Sequence, residues 1–157
     1  MIDKKIILEK LIENLRKELS EVESAAKSTR DLVTSDDLKS EGKYDTRAIE
    51  ASYLASAQLK RVDEIKTDIQ MLEETELVSA NKLQMGSLAL IEHKGNERYY
   101  FLTSTSGGTM LTVDGNTILV ISVFSPLGNE ALGLKAGESF EVETPKEMRT
   151  YKIISVH

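Results

Sequence analysis

Three carboxylates, Asp36, Asp37 and Glu41, fall within one short segment of this chain. Carboxylate oxygens suit a hard divalent cation such as Mg²⁺, which keeps several of its waters, so one or two acids on a turn can complete a site whose other ligands belong to a partner. The same residues also suit an ordinary turn, because Asp and Ser cap helices and acids favour a helix start. Other chemistry is scarce. There is no cysteine, which excludes disulfides, thiolate zinc sites and thiol nucleophiles. The two histidines, His93 and His157, are not spaced as metal ligands, and surface or half-buried roles are expected for both. Ser106-Gly107-Gly108-Thr109 lacks the Gly-Lys-Ser/Thr of a phosphate-binding loop and is followed by strand-like residues, so it reads as a loop. No Gly-x-Ser-x-Gly elbow is present.

The elements that must position these acids follow from composition. The 157 residues carry 26 acidic and 20 basic side chains, a formal charge of -6. That balance argues against a protein held on duplex nucleic acid by phosphate neutralisation. The longest apolar run, Ile118-Leu119-Val120-Ile121, is far shorter than the roughly 18 to 20 residues of a membrane span, and the start, MIDKKIILEK, has no signal-peptide layout. A cytoplasmic, membrane-free protein is expected. Of nine glycines only Gly42 precedes Gly86, and both prolines, Pro126 and Pro145, lie in the second half. Residues 1–77 carry a net charge of -5 and residues 78–157 a net of -1. These shifts predict two domains, 1–77 and 78–157.

In the first, Leu8, Leu11, Leu15, Leu19, Val22 and Ala26 recur at helical spacing, and so do Leu59, Val62, Ile65, Ile69 and Leu72. Neither predicted helix has another apolar face, so each stripe is expected to bury on the other. Antiparallel partners have a constant index sum. The pairs Leu8/Leu72, Leu11/Ile69 and Leu15/Ile65 each sum to 80, and Leu19/Val62 and Val22/Leu59 to 81. The hairpin therefore turns near Ser40, within Thr34–Gly42, and places Asp36, Asp37 and Glu41 at its apex. Arms of roughly 30 residues make a stalk of the order of 45 Å. The pairing is intramolecular, so a monomer is expected.

The second domain alternates like strands. Residues 87–93 and 98–102 flank Lys94-Gly95-Asn96 as a hairpin. Residues 110–113 and 117–120 flank Asp114-Gly115-Asn116 as a second hairpin or a looser loop, and 139–143 and 150–156 form a third pair. Asn129–Leu132 is a short helix ending at Gly133. Tyr99, Tyr100, Phe101, Phe124, Phe140 and Tyr151 read as core rather than as the lining of a pocket. The fold class is α+β, a helical hairpin followed by a small, mostly antiparallel sheet.

Ile121-Ser122-Val123-Phe124-Ser125-Pro126-Leu127-Gly128, then Ala131-Leu132-Gly133 and Gly137-Glu138, resembles the C-terminal domain of the bacterial transcript cleavage factors GreA and GreB. The family pattern there is Ile-Ser-x-x-Ser-Pro, a loop and helix, then Leu-x-Gly or Leu-Gly before a strand. Glu143-Thr144-Pro145 with Tyr151-Lys152-Ile153-Ile154 resembles its closing hairpin, and Asp37-Leu38-Lys39 with Tyr44 resembles its apex pattern Asp-Leu-x-Glu-Asn-x-x-Tyr. The resemblance implies an N-terminal antiparallel coiled coil and an FKBP-like C-terminal domain. It implies an accessory factor, not an enzyme, that docks on RNA polymerase and inserts its coiled coil into the secondary channel. There it would stimulate the polymerase's own cleavage of backtracked transcripts, meeting the RNA 3′ end only inside that enzyme. Asp36, Asp37 and Glu41 would act in trans, Asp37 and Glu41 sharing a Mg²⁺ with the polymerase centre, and no tightly bound cofactor is implied. Ser125, Pro126 and Leu127 would dock. Gapless alignment on Asp37 puts Ser40 where the family carries its apex glutamate and Glu41 where it carries asparagine, a shift of about 100° on a helix. The alternative in the same architecture is a secondary-channel regulator or inhibitor that lacks cleavage stimulation. A prolyl isomerase built on the second domain's aromatics leaves the acidic stalk unexplained, and a coiled-coil dimerisation adaptor conflicts with the constant index sum.

Overall fold

The computed structural model describes residues 1–33 and 46–157. The chain forms two compact units, Glu13–Gln70, and Met1–Ile12 together with Met71–His157. The change of grammar near residue 78 is a change of composition, whereas the packing units leave the first turns of one helix and the last turn of the other with the sheet. Among the described residues no helix is long and apolar enough to cross a membrane.

Two helices, α1 (Lys4–Val33) and α2 (Thr46–Glu73), make up the helical part. At 30 and 28 residues they span about 45 and 42 Å. Nothing interrupts them, because neither contains glycine or proline. They form an antiparallel pair, and the turn expected near Ser40 lies outside the described residues. In the hairpin unit Leu15, Val62 and Ile65 are buried, Ile65 completely. Beside them the Arg61 guanidinium donates to the Glu18 carboxylate at 2.5 Å, an ion pair across the two helices. That hydrogen bond to Glu18 raises the Arg61 pKa above its ordinary value. Lys66 reaches Glu23 at 3.7 Å.

Toward the far ends the stripe changes character. Leu59, expected on the inner face, is 46% exposed, and the half-buried side chain at that level is Gln58. Nor is the remainder of α2 purely polar: Ile49, Tyr53 and Leu54 are all more than half exposed. The leucine pattern followed α2 only as far as Val62; beyond it, Ala48, Ala51, Ala55 and Gln58 are the residues partly buried.

The second unit is built on a six-stranded sheet, β1 (Leu88–His93), β2 (Asn96–Thr103), β3 (Met110–Val113), β4 (Asn116–Ser122), β5 (Ser139–Glu143) and β6 (Met148–Val156), in the order β3-β4-β2-β1-β6-β5. The two expected hairpins are both tight. Lys94 and Gly95 have φ of 51° and 79°, and Asp114 and Gly115 of 51° and 76°, so each turn has two residues of positive φ, the twist that matches paired strands. Asn96 and Asn116 therefore open strands instead of extending the turns. Four strand pairs are antiparallel; β2 and β4 run parallel because the β3–β4 hairpin returns on the outside of β4.

Both faces of the sheet are buried. One carries Ala89, Ile91, Tyr100, Leu102, Ile121, Tyr151 and Ile153, which join Leu83, Val123, Ala131, Phe140 and Val142 in a single core. Burying one such Leu or Ile contributes roughly 1.5–3 kcal/mol. Leu88, Phe101, Ile118 and Val120 point to the other face and are equally buried, in the unit where Ile7, Leu11 and Leu72 of the helix ends are buried too. The open edge at β3 is blunted by Lys10, whose ammonium donates to Thr112 O at 2.8 Å. The other edge, β5, turns Glu141 and Glu143 to water.

Candidate functional site

The acidic apex and the Ser-Pro segment are the two candidate sites. Asp36, Asp37 and Glu41, with Ser40 and Tyr44, lie outside the described residues. Among the described residues no group of three His, Asp or Glu could hold a metal ion. The sequence reading assigned a shared cation to Asp37 and Glu41, whose carboxylates have the donor chemistry for Mg²⁺ but offer too few ligands without a partner.

The Ser-Pro segment is resolved in detail. β4 ends at Ser122, and Val123 holds the exit to the neighbouring strand by donating its N–H to Thr103 O at 2.8 Å. The chain then turns on Ser122: Ser125 N donates to Ser122 O at 3.0 Å, Ser125 Oγ donates to the same oxygen at 2.7 Å, and Phe124 N donates to Ser122 Oγ at 3.1 Å. With φ -74° and ψ 157°, Ser125 is the N-cap of α3 (Pro126–Ala131), its Oγ accepting from Gly128 N at 3.1 Å. Pro126 takes the first helical position, where it has no N–H to lose. The helix thus begins at Pro126 and not at Asn129 as expected, because the Ser-Pro cap starts it a turn sooner.

This capping divides the three docking candidates. The Ser125 hydroxyl is committed to the turn, Leu127 packs against the sheet core, and Pro126 stays exposed. Gly128 is required by close approach, since a Cβ there would lie 2.0 Å from Ser122 O. The sequence reading placed Phe124 in the core, but it is 77% exposed. The reason is local. Leu119, Ile121 and Val123 continue the β4 alternation into the core, and the turn that follows throws the next side chain outward.

Phe124 and Pro126 stand between two depressions. Phe124 borders one of about 590 Å³ with Met71, Val78, Met85, Glu74 and Glu76, an apolar floor with an acidic rim. Pro126 borders another of about 710 Å³ with Leu134, Met148, Glu130, Glu141 and Glu143. The remaining residues singled out from sequence are structural. His93 is half-buried at the end of β1, its ring stacked on Tyr151 at 4.6 Å and its Nδ1 2.9 Å from Thr150 O. Phe140 stacks on the other side of this ladder at 5.4 Å from Tyr151. Burial raises the Tyr100 pKa above the usual phenol value. The Ser106–Thr109 segment is a loop pinned to β4 by Gly108 N–H donating to Val120 O at 2.8 Å.

Comparison with known proteins gives a consistent set of relatives. A family model described as "Transcription elongation factor, GreA/GreB, C-term" matches residues 78–157. Transcription inhibitor protein Gfh1 of Thermus thermophilus is 25% identical over 152 residues, covering 95% of this chain and 92% of that protein. Transcription elongation factor GreA of Flavobacterium psychrophilum is 26% identical over 121 residues, covering 76% of this chain and 72% of that protein. Among solved structures, Gfh1 of Thermus thermophilus aligns over 93% of this chain and 94% of its own, with a TM-score of 0.40 and 21% identity.

Proposed function

The chain belongs to the GreA/GreB family of transcription elongation factors, and on that footing we propose that it is a secondary-channel factor of bacterial RNA polymerase that stimulates cleavage of backtracked transcripts. The observation that carries this reading is the pairing of an uninterrupted helical hairpin, its acids between the two helices, with a sheet unit of the family's C-terminal type. The sheet unit docks through Phe124 and Pro126, which Ser125 and Leu127 hold in place. The hairpin enters the channel, and helices of about 45 Å suit that reach. Asp37, helped by Asp36 and Glu41, then meets the polymerase's own metal centre. A Mg²⁺ shared with that centre supplies Lewis-acid chemistry and orients water. The chain's part is to deliver negative oxygens and to exclude other occupants of the channel. It performs no hydrolysis alone and works in the bacterial cytoplasm, where the polymerase is.

A second reading is favoured by two specific observations. Gfh1, a transcription inhibitor by name, is similar over 95% of this chain. Ser40 stands where the apex pattern carries glutamate. In this reading the factor binds the same channel and restrains the polymerase without cleavage. Adding the protein to a stalled, backtracked elongation complex with Mg²⁺ separates the two. Shortened RNA 3′ ends, lost with Asp37→Ala, support cleavage stimulation. Slowed synthesis with transcripts of unchanged length supports the inhibitor, and no effect on either overturns the polymerase assignment.

A further inference from the structure

We propose that the hairpin has two stability regimes: a root, residues 13–22 and 60–70, that stays closed, and a distal half, residues 24–33 and 46–58, that opens locally while the rest of the protein remains folded. The two parts are built from different layers. In the root, Leu15, Val62 and Ile65 are buried and Leu19 and Ile69 partly so. In the distal half the buried and partly buried positions are Ala26, Thr29, Ala48, Ala51, Ala55 and Gln58. Each of these is a small or polar residue. Ala26 and Thr29 are buried, yet Ala51, Ala55 and Gln58 are only partly so. Layers this small remove little apolar surface from water, and helix pairs owe most of their stability to that surface rather than to propensity.

Gln58 marks the boundary. Its Oε1 is buried and has no hydrogen-bond partner among the described residues. An unpaired buried amide oxygen weakens the closed state, because opening returns it to water. Thr29 is different, since its hydroxyl donates to Ala25 O at 2.9 Å within its own helix and asks nothing of α2. The larger apolar side chains of α2 in this half bury little surface: Ile49, Tyr53 and Leu54 are each more than half exposed. Leu54 lies about 40° beyond Gln58 around the helix, outside the arc of Ala48, Ala51, Ala55 and Gln58, and is 52% exposed. Opening beyond Gln58 therefore exposes little buried apolar surface, whereas opening through Val62 and Ile65 exposes the large apolar side chains of the seam.

Hydrogen exchange of the full-length protein, read by mass spectrometry in the slow-labelling regime, tests this. Corrected for intrinsic rates, amides of residues 24–32 and 50–57 exchange on the order of 100-fold faster than those of 13–22 and 60–70. Gln58→Leu, which replaces the unpaired amide by an apolar group of similar size, slows the distal amides by about tenfold or more and leaves the root unchanged. Gln58→Met repeats the measurement with a more adaptable side chain. Equal protection of the two halves in the wild type overturns the proposal. So does a Gln58→Leu or Gln58→Met protein of unchanged helicity whose distal amides exchange as before, or whose root slows to the same extent.

Discussion

Ser125→Ala and Phe124→Ala, made one residue apart, are expected to fail in opposite ways. Alanine at 125 removes the oxygen that accepts from Gly128 N at 3.1 Å and the hydroxyl that donates to Ser122 O at 2.7 Å. Loss of a serine N-cap costs about 1 kcal/mol within a range of roughly 0.5–2. Ser122 O is not orphaned, since Ser125 N–H still reaches it at 3.0 Å, so no buried-acceptor penalty is added. About 1 kcal/mol lowers the melting temperature of a unit of roughly 100 residues by about 4–8 °C. Phe124 is 77% exposed, so its truncation changes stability by no more than about 0.5 kcal/mol. As an exposed aromatic anchor it is expected to weaken polymerase binding by about 1–2 kcal/mol, roughly 5- to 30-fold in Kd. Thermal unfolding by circular dichroism and titration of labelled protein with core RNA polymerase give the two numbers for each variant. An unchanged melting temperature for Ser125→Ala refutes the capping assignment. A Phe124→Ala protein that binds as the wild type refutes the contact role given to this loop.

Three further substitutions test the sheet unit. Gly86 has φ of 84°, and a Cβ there would lie 2.4 Å from Glu76 O, so Gly86→Ala is expected to lose about 2–4 kcal/mol from left-handed strain plus displaced backbone. Gly95→Ala, with φ of 79° but no atom within 4 Å of the added Cβ, carries only the strain, about 1–2 kcal/mol; equal denaturant midpoints for the two would refute the close approach. The Glu147 carboxylate, which accepts from Lys94 Nζ at 3.0 and 3.1 Å, is held below the usual carboxylate range, first by that hydrogen bond and then by the lysine's charge. A carboxyl depressed in the folded state contributes stability above its unfolded pKa, near 4.5, and loses it as pH falls through the lower folded value. Wild type and Glu147→Gln should therefore differ in urea stability at pH 7 and converge as pH falls below the folded-state value. A difference that persists at low pH refutes the ion pair as its source.

Reading the sequence worked where burial and periodicity agree. The stripes predicted the two helices because Leu8 to Leu19 and Val62 to Leu72 are large, periodic and, in the main, buried, while the turn expected near Ser40 lies outside the described residues. Leu59 was misassigned because a stripe was continued by residue type alone. Real packing at that level puts Gln58 partly inside, and nothing in an isolated glutamine marks it as a seam residue. The hairpin turns were legible in Lys94-Gly95 and Asp114-Gly115, since two-residue turns need positive φ and select Gly and Asp. The parallel seam between β2 and β4 was not, because alternation reports which face a side chain takes and is silent on which strand lies beside it. At the Ser-Pro loop the motif located the segment, but the work of each side chain is set by geometry. Ser125 caps the helix and Leu127 packs against the core, while Phe124 and Pro126 face outward. An aromatic at the end of an apolar strand is ordinarily core. Here the Ser122 turn interrupts the alternation one residue before Phe124, and a side chain expected to stabilise the fold becomes the most exposed aromatic in the sheet unit.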